Sequence, residues 1–242
     1  MACRSETRGL EALEEVKQEL PEVKKANISV IGGFDMTDPD KIENAVNSLS
    51  TKKTFDIVFL AAGLAVFTDD YQAVEWNDKK IEKNIFQNML GSHITLSCLN
   101  NMELLTKGVI VVLAGGEGAR GIKGMIESPQ FASIKEFRDY VFLNKTPKYN
   151  PMNAIGVSKL CGALWTSKIS KLEADSMNIV WFSPGLTSGS AGLKTLPLLQ
   201  KWFMNTIMFG FFLDSWVELK PHLKEEGSLL TVWKGKSELM VI

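Results

Sequence analysis

Three short strand-like segments constrain the fold of this chain more than any other feature. Residues 55–63 and 109–115 are nearly continuous apolar runs, and the third segment, 178–185, ends at Pro184-Gly185. A strand that is apolar at almost every position is buried on both faces, as the strands of a parallel sheet are. Helix-like segments alternate with these runs, so the sequence predicts an α/β fold with a doubly wound parallel sheet.

The segments between the runs set the remaining elements. Amphipathic periodicity and capping signals predict helices over 5–20, 77–99, 133–142 and 151–174, and one that begins at Asp38-Pro39. Further strands are predicted over 27–35 and 229–233. No linker-like segment interrupts the 242 residues, so we expect a single domain over 1–242.

Composition and charge exclude several classes of function. The 27 basic and 28 acidic residues give a net charge of −1, so there is no electrostatic footprint for nucleic acid. Three widely spaced cysteines (Cys3, Cys98 and Cys161) and two histidines predict neither disulfides nor a metal site. The most apolar stretch, residues 202–213, is shorter than the roughly 18 residues of a membrane span. We therefore expect no transmembrane segment and a reducing, cytoplasmic location.

Six short motifs lie where the predicted strands and helices begin or end. They are Ala2-Cys3-Arg4-Ser5, Asp35-Met36-Thr37-Asp38, Leu60-Ala61-Ala62-Gly63, Asn88-Met89-Leu90-Gly91, Val157-Ser158-Lys159 and Ser183-Pro184-Gly185-Leu186-Thr187. In this order the motifs resemble the short-chain dehydrogenase/reductase family, over nearly the whole chain. The resemblance implies a Rossmann-type fold that binds NADP(H) and transfers hydride between the nicotinamide and a substrate.

The resemblance assigns most of these motifs to the cofactor. Arg4 would face the 2′-phosphate of NADP(H), because a planar guanidinium matches phosphate oxygens. Asp35, with the Met36 backbone beside it, would accept a hydrogen bond from the adenine amino group. The other implied contacts are with the ribose at Ala62, Gly63 and Lys159, and with the nicotinamide at Pro184, Gly185 and Thr187. A solvated arginine, a capping aspartate and a simple Pro-Gly turn are the alternative interpretations.

The catalytic positions are only partly filled. The resemblance implies that Asn88 helps build a proton relay next to the catalytic Lys159, although a polar residue on a helix face is an equal alternative. Ile155 stands where the family has a tyrosine, one helical turn before the lysine that lowers its pKa. Gly115 stands where the family has a serine that polarises the carbonyl. We predict impaired catalysis, because losing general acid–base catalysis typically costs about 10²–10⁴-fold in rate.

Two further segments each have more than one interpretation. The apolar run 196–213 falls at the family's substrate lid, where Leu199, Trp202 and Phe203 could line a pocket for a small apolar substrate. An amphipathic helix pair over the core, or a subunit contact, fits that run equally well. Residues 116–121 match a Gly-x-Gly-x-x-Gly pattern, but a poor helix start follows them. They favour an active-site loop, in which Arg120 could face an anion, over a methyltransferase-like nucleotide site.

The glycine-rich first strand–helix unit of the family has no counterpart before Ala2. In the family's sheet order 3-2-1-4-5-6-7 that strand lies between strands 2 and 4, so we expect an unpaired edge on the run at 55–63. Each unpaired buried backbone group costs on the order of 1–3 kcal/mol. We therefore expect an N-terminally truncated form, or a chain that associates through that edge.

The sequence leaves two functions of different class. The first is an NADP(H)-binding oxidoreductase that acts on a carbonyl, an alcohol or a conjugated double bond of an apolar substrate, with impaired catalysis. The second is a non-catalytic protein of the same fold that acts as a cofactor sensor or protein-interaction module. The family is often dimeric or tetrameric through its long helices, so the resemblance also implies a homo-oligomer.

Overall fold

The computed structural model describes residues 1–20, 28–49, 54–63, 72–123, 126–143, 150–183 and 239–241. The α-helices are α1 (Glu6–Glu19), α2 (Pro39–Asn47), α3 (Lys83–Ile85), α4 (Gly91–Asn101), α5 (Ile134–Val141) and α6 (Pro151–Leu172). A π-helical segment (Phe86–Leu90) joins α3 to α4, and a 3-10 helix spans Glu117–Arg120. The strands are β1 (Phe55–Leu60), β2 (Ala73–Trp76), β3 (Lys79–Glu82), β4 (Leu105–Ala114), β5 (Met177–Phe182) and β6 (Leu239–Val241).

Four of the strands form one parallel sheet in the order β5-β4-β1-β6. β4 is the longest strand and pairs with β1 on one side and with β5 on the other. The two apolar runs that become β1 and β4 carry fully buried residues at successive positions, because helices cover the sheet. The predicted doubly wound α/β fold is confirmed.

The main core lies between the sheet and the helices α2 and α4. Its most buried members, each at most 2% exposed, are Ile42, Val46, Val58, Leu60, Leu99, Leu104, Val109, Val111 and Leu113. Burying an aliphatic side chain of this size contributes about 1.5–3 kcal/mol. A second cluster of Ile85, Tyr140, Val157 and Cys161 joins α3, α5 and α6.

Side-chain caps fix where several helices begin. The Asp38 carboxylate accepts from Lys41 N at the start of α2, and the hydrogen bond with the Lys41 side chain, together with that backbone bond, lowers the pKa of Asp38. Ser133 caps α5, and Asn150 Oδ1 accepts from two amides at the start of α6. The predicted starts of these three helices are therefore confirmed.

The prediction of a helix over 77–99 is wrong at its beginning. Asn77 and Asp78 have φ values of 49° and 58° and form the tight turn of a hairpin between β2 and β3. Two consecutive positive φ angles suit such a turn, which Asn and Asp tolerate better than most residues. The helical segment therefore begins only at Lys83, capped by the Glu82 carboxylate.

The strand predicted over 27–35 is also reduced. Among its described residues, only Ile31 pairs in β fashion, in a single parallel bridge to Ala2. The Cys3 amide donates to Ile31 O at 2.9 Å and the Phe34 amide donates to Cys3 O at 3.0 Å, so the two segments run side by side. This contact keeps Arg4 next to residues 33–35.

The predicted open edge of the central sheet is occupied. Ile57, Val58 and Phe59 of β1 pair in parallel with Leu239, Met240 and Val241 of β6. The expectation of unpaired backbone groups at this edge is therefore wrong over these three positions, because a C-terminal segment supplies the missing partners.

Several sequence predictions lie outside the described residues. These are the strand over 229–233, the nicotinamide contacts Pro184, Gly185 and Thr187, and the lid residues Leu199, Trp202 and Phe203. Within the described ranges, no helix is both long and apolar enough to cross a membrane. The single-domain interpretation remains a prediction.

Candidate functional site

Four residues that are distant in sequence meet at the carboxyl ends of β1 and β4. Gly63 follows β1, and a Cβ built on it would lie 2.5 Å from Asn88 Oδ1 and 3.6 Å from Lys159 Nζ. Gly116 follows β4, and a Cβ there would lie 3.6 Å from Lys159 Cε. Ligands of open α/β sheets bind outside the carboxyl ends of the strands. We call the group Gly63, Asn88, Gly116 and Lys159 the lysine half of the candidate site.

Lys159 extends from α6 into this half as a largely buried cation. Its Nζ donates to Asn88 Oδ1 at 3.4 Å, and it has no ion-pair partner in the part of the chain that the structure describes. Burial lowers the pKa of Lys159 because the charged ammonium loses solvation. A lysine of this kind exchanges its proton more readily at neutral pH than an exposed lysine does.

Asn88 is held in place by the π-helical segment. Its Nδ2 donates to Asn84 O at 2.8 Å and lies 3.5 Å from Ser158 Oγ on α6. A π turn is wide and often occurs at functional sites. Here it leaves Oδ1 of Asn88 directed at Lys159 Nζ.

A buried carboxylate lies behind Asn88. Glu82 accepts from the Ile85 amide at 2.8 Å and from Asn84 Nδ2 at 2.9 Å. Burial raises the pKa of Glu82, and the neighbouring Cys161 thiol has its pKa raised to about 12, mainly by burial. Polar contacts therefore run from Lys159 through Asn88 and Asn84 to Glu82.

The predicted adenine-end residues lie together at the beginning of the chain. The Gly33 amide donates to Arg4 O at 3.2 Å, and the Arg4 side chain is exposed beside that segment. Asp35 Oδ1 accepts from the amide and the hydroxyl of Thr37. Part of that carboxylate therefore stabilises its own turn, while the cap of α2 is Asp38.

Met36 connects this segment to α4, the helix that follows the π-helical segment with Asn88. A Cβ on Gly91 would lie 2.6 Å from Met36 O, so the glycine allows the Met36 backbone to contact α4 closely. Thr95 Oγ1 also donates to Met36 Sδ at 3.7 Å. Ala62 is half-buried against the core beside the exposed Gly63.

The two positions where the resemblance expects catalytic hydroxyls have different surroundings. Ile155 is half-buried on α6 and its carbonyl accepts from Ser158 Oγ at 2.8 Å. Gly115 lies against Trp181 of β5, so closely that a Cβ on Gly115 would overlap Cε2 and Cζ2 of the indole. The sequence prediction did not single out Trp181. Its signal, a bulky aromatic residue opposite two glycines of other elements, is visible only once the strands are paired.

Residues 116–121 do not form a nucleotide fingerprint. Glu117–Arg120 form a single 3-10 turn, and Gly121 follows it with φ of 83°. The Ile122–Ile126 bridge comes next, where a nucleotide fingerprint would have a helix. The dinucleotide and methyltransferase-like interpretations need a helix start at this point, so they are wrong.

Two adjoining cavities of about 580 and 620 Å³ open beside this loop, and sequence reasoning missed them. The smaller is lined by Arg120 and Lys123, and the larger by Phe131, Tyr140 and Val157. Among the residues the structure describes, neither Lys159 nor Asn88 lines them. Arg120 therefore faces a surface cavity and not the lysine half.

Solved structures share this arrangement of strands and helices. A short chain dehydrogenase from Salmonella enterica subsp. enterica serovar Typhi str. CT18 matches with a TM-score of 0.52 and 14% identity, over 85% of this chain and 72% of that one. Thermoplasma acidophilum aldohexose dehydrogenase matches with 0.50 and 13%, over 74% and 62%. The C-domain with NADP of bacterial malonyl-CoA reductase matches with 0.55 and 12%, over 84% of this chain and 29% of that one.

No protein-family model and no curated protein matches the sequence. Because the sequence identity of these structural matches is low, they establish the fold alone. The chain has the Rossmann-type fold of short-chain dehydrogenases/reductases.

Proposed function

We propose that the protein binds NADP(H) and acts as an oxidoreductase on a carbonyl, an alcohol or a conjugated double bond of an apolar substrate. The observation that carries the proposal is the lysine half of the site. Gly63, Asn88, Gly116 and Lys159 come from four segments, yet they surround one space at the carboxyl ends of β1 and β4. A structural role alone gives no reason to bury an ammonium there with no carboxylate partner among the described residues.

The described residues fit the ribose next to the nicotinamide. The missing side chain at Gly63 lets Asn88 Oδ1 pack closely against the backbone after β1, and Lys159 Nζ lies beside both. Lys159 can donate to ribose hydroxyls there. At the other end, the exposed Arg4 beside Asp35 would contact the 2′-phosphate and the adenine.

The chemistry then rests on Lys159. The bound cofactor would supply or accept the hydride. In the reducing direction, Lys159 Nζ would donate its proton to the substrate oxygen and recover one from water, and its lowered pKa favours that transfer. Because Ile155 has no hydroxyl, we expect turnover roughly 10²–10⁴-fold slower than a complete acid–base site would give.

Cofactor titration tests the proposal directly. NADPH and NADH are titrated against the full chain by calorimetry, and NADPH should bind more tightly. Arg4→Ala should weaken NADPH but not NADH by about tenfold, because a charged hydrogen bond contributes about 1.5–3 kcal/mol. Arg8→Ala, at another exposed arginine near the start of α1, is the matched control and should change neither. Absence of NADPH binding at millimolar concentration would overturn the proposal.

A second candidate function has its own supporting observation. Neither expected hydroxyl is present, since Ile155 is aliphatic and the space at Gly115 is filled by Trp181. A non-catalytic cofactor sensor or interaction module needs the binding residues and not the hydroxyls. If NADPH binds but no apolar ketone or enone in a panel oxidises it, the result would favour this second function.

We also expect a homo-oligomer. Leu164 and Leu172 on α6 are 57% and 62% exposed, so this helix offers apolar surface to a second copy. Light scattering on the purified chain measures its mass in solution, and a monomer at micromolar concentration would contradict the expectation.

A further inference from the structure

Trp181 fills a space that two glycines leave open. Its indole ring lies between Gly115, just after β4, and Gly162 on α6. A Cβ on Gly162 would lie 2.8 Å from Trp181 Cζ3, so neither glycine position can accept a side chain without movement of the ring. We call Gly115, Gly162 and Trp181 the indole half of the candidate site.

The backbone holds the two sides of this half together. The Gly115 amide donates to Phe182 O at 2.6 Å, which extends the pairing of β4 with β5 beyond the end of β4. Gly115 therefore cannot move away from the residue next to Trp181. The indole ring therefore fits the volume that the two glycines leave.

The orientation of the ring brings its polar edge to the end of β4. The six-membered edge of the indole faces Gly162, whereas Nε1 would lie 2.5 Å from a Cβ on Gly115. A hydroxyl-bearing side chain at position 115 would occupy that same volume. Trp181 is half-buried, and its Nε1–H has no hydrogen-bond partner among the described residues, although a tryptophan N–H of this kind usually finds one.

The indole lies next to the lysine half. Lys159 and Gly162 are three residues apart on α6, so they share one face of the helix. Lys159 contacts Gly116 and Trp181 contacts Gly115, which are consecutive residues at the end of β4. The Lys159 ammonium and the Trp181 indole N–H are therefore neighbouring donors, because both side chains lie between α6 and the end of β4.

We propose that the Trp181 indole N–H donates a hydrogen bond to the oxygen of the carbonyl or alcohol ligand at this site. Trp181 then replaces, from β5, the donor that position 115 cannot carry. The inference rests on the proposed function for the class of ligand. It gives the ligand oxygen a second hydrogen-bond donor besides the Lys159 ammonium.

The test measures the indole proton without turnover. Protein labelled with ¹⁵N at its six tryptophans is titrated with cyclohexanone, once alone and once with NADP⁺, which cannot reduce a ketone. The Trp181→Phe spectrum assigns the Trp181 indole signal. We expect that signal to move downfield with saturation while the Trp165 signal does not, and we expect Trp181→Phe to weaken cyclohexanone binding about three- to tenfold.

Trp165→Phe is the matched control. Trp165 also lies on α6, and its Nε1 is buried with no partner in the described ranges, so its loss removes an indole N–H that cannot reach a ligand. Cyclohexanone should bind this variant as it binds the wild type.

The outcomes separate the two proposals. Absence of NADP⁺ binding would overturn the proposed function, whereas a downfield shift with cyclohexanone alone would still support the indole donor. A Trp181 signal that does not move in either titration would overturn the indole donor, even if NADP⁺ binds. Equal cyclohexanone affinity for wild type and Trp181→Phe, or no cyclohexanone binding at all, would overturn it too.

Discussion

The lysine half and the indole half of the candidate site both depend on glycines, but they use them differently. In the lysine half, Gly63 lets Asn88 Oδ1 pack against the backbone, and the missing side chain of Gly116 leaves space beside the Lys159 side chain. In the indole half, the missing side chains of Gly115 and Gly162 are replaced by the protein's own Trp181. One half is open to a ligand, and the other is closed by packing.

This difference shows that adjacent glycines can have opposite functions. Gly115 and Gly116 follow one another, yet the two positions face different side chains. Gly116 faces the aliphatic part of Lys159 at ordinary contact distances, and Gly115 faces the indole at less than contact distance for a Cβ. Substitution at the two positions should therefore give very different results.

The largest effect is expected for Gly115→Ser. The new Cβ would overlap the Trp181 ring, and the Gly115–Phe182 bond prevents the strand from moving away. Overpacking of a filled site costs about 1–3 kcal/mol, and we expect the upper part of this range. Urea unfolding followed by circular dichroism measures the loss. Serine at 115 therefore cannot restore activity by itself.

A double variant tests whether the indole is the cause. The combined loss in Gly115→Ser/Trp181→Ala should be smaller than the sum of the two single losses, because contacting residues couple by about 0.5–3 kcal/mol. Strictly additive losses would show that the Gly115 defect has another origin and that the two halves do not differ in this way.

Asn88→Ala should produce the next largest effect. It removes the side-chain donor to the buried Asn84 carbonyl and the acceptor for Lys159 Nζ, and the loss of these two hydrogen bonds should cost about 1–2 kcal/mol. The exposed Asn100 on α4 supplies the control, since Asn100→Ala should leave the urea midpoint nearly unchanged. Equal stability of the two variants would mean that the π-helical segment does not depend on Asn88.

Lys159→Met should change how stability depends on pH. The folded-state pKa of Lys159 lies below the ordinary lysine value of 10.5, so the unfolded chain binds more protons between the two values. The wild type therefore gains stability as pH rises through that window. The methionine variant lacks this gain and should be more stable at neutral pH, by roughly 1 kcal/mol.

Urea unfolding of both proteins at a series of pH values measures this difference. The difference in unfolding free energy between Lys159→Met and the wild type should be constant below the folded-state pKa of Lys159. It should become smaller as the pH approaches 10.5. A methionine variant that is less stable at neutral pH would show that Lys159 has a stabilising partner, and that the lysine half is not open.

The sequence predicted the layers of the fold because its strongest signals are local. The apolar runs that form β1 and β4, and the caps at Asp38 and Asn150, each act within a few residues. The β2–β3 hairpin was missed because the helical period continues through Asn77-Asp78, while the positive φ of both residues decides the turn.

The candidate site was predictable only in its lysine half. Asn88 and Lys159 each belong to a motif of consecutive residues, and a motif can be identified without knowing the fold. The indole half depends on a match of volumes between β5, the end of β4 and α6, which no short motif contains. Pairing at the edge of β1 by Leu239–Val241 was missed for the same reason.

The smallest effect is expected for Gly116→Ala, and it tests the comparison most sharply. The backbone at Gly116 is extended, with φ of 168°, so alanine is not strained, and its Cβ would lie 3.6–3.8 Å from the Lys159 side chain. Alanine also reduces the entropy of the unfolded chain, so we expect stability to stay equal or rise by about 0.5 kcal/mol. The same urea measurement with Gly115→Ala is the matched control and should show a clear loss. If both alanine variants lose the same amount, position 116 is as closed as position 115, and the lysine half has no space for a ligand.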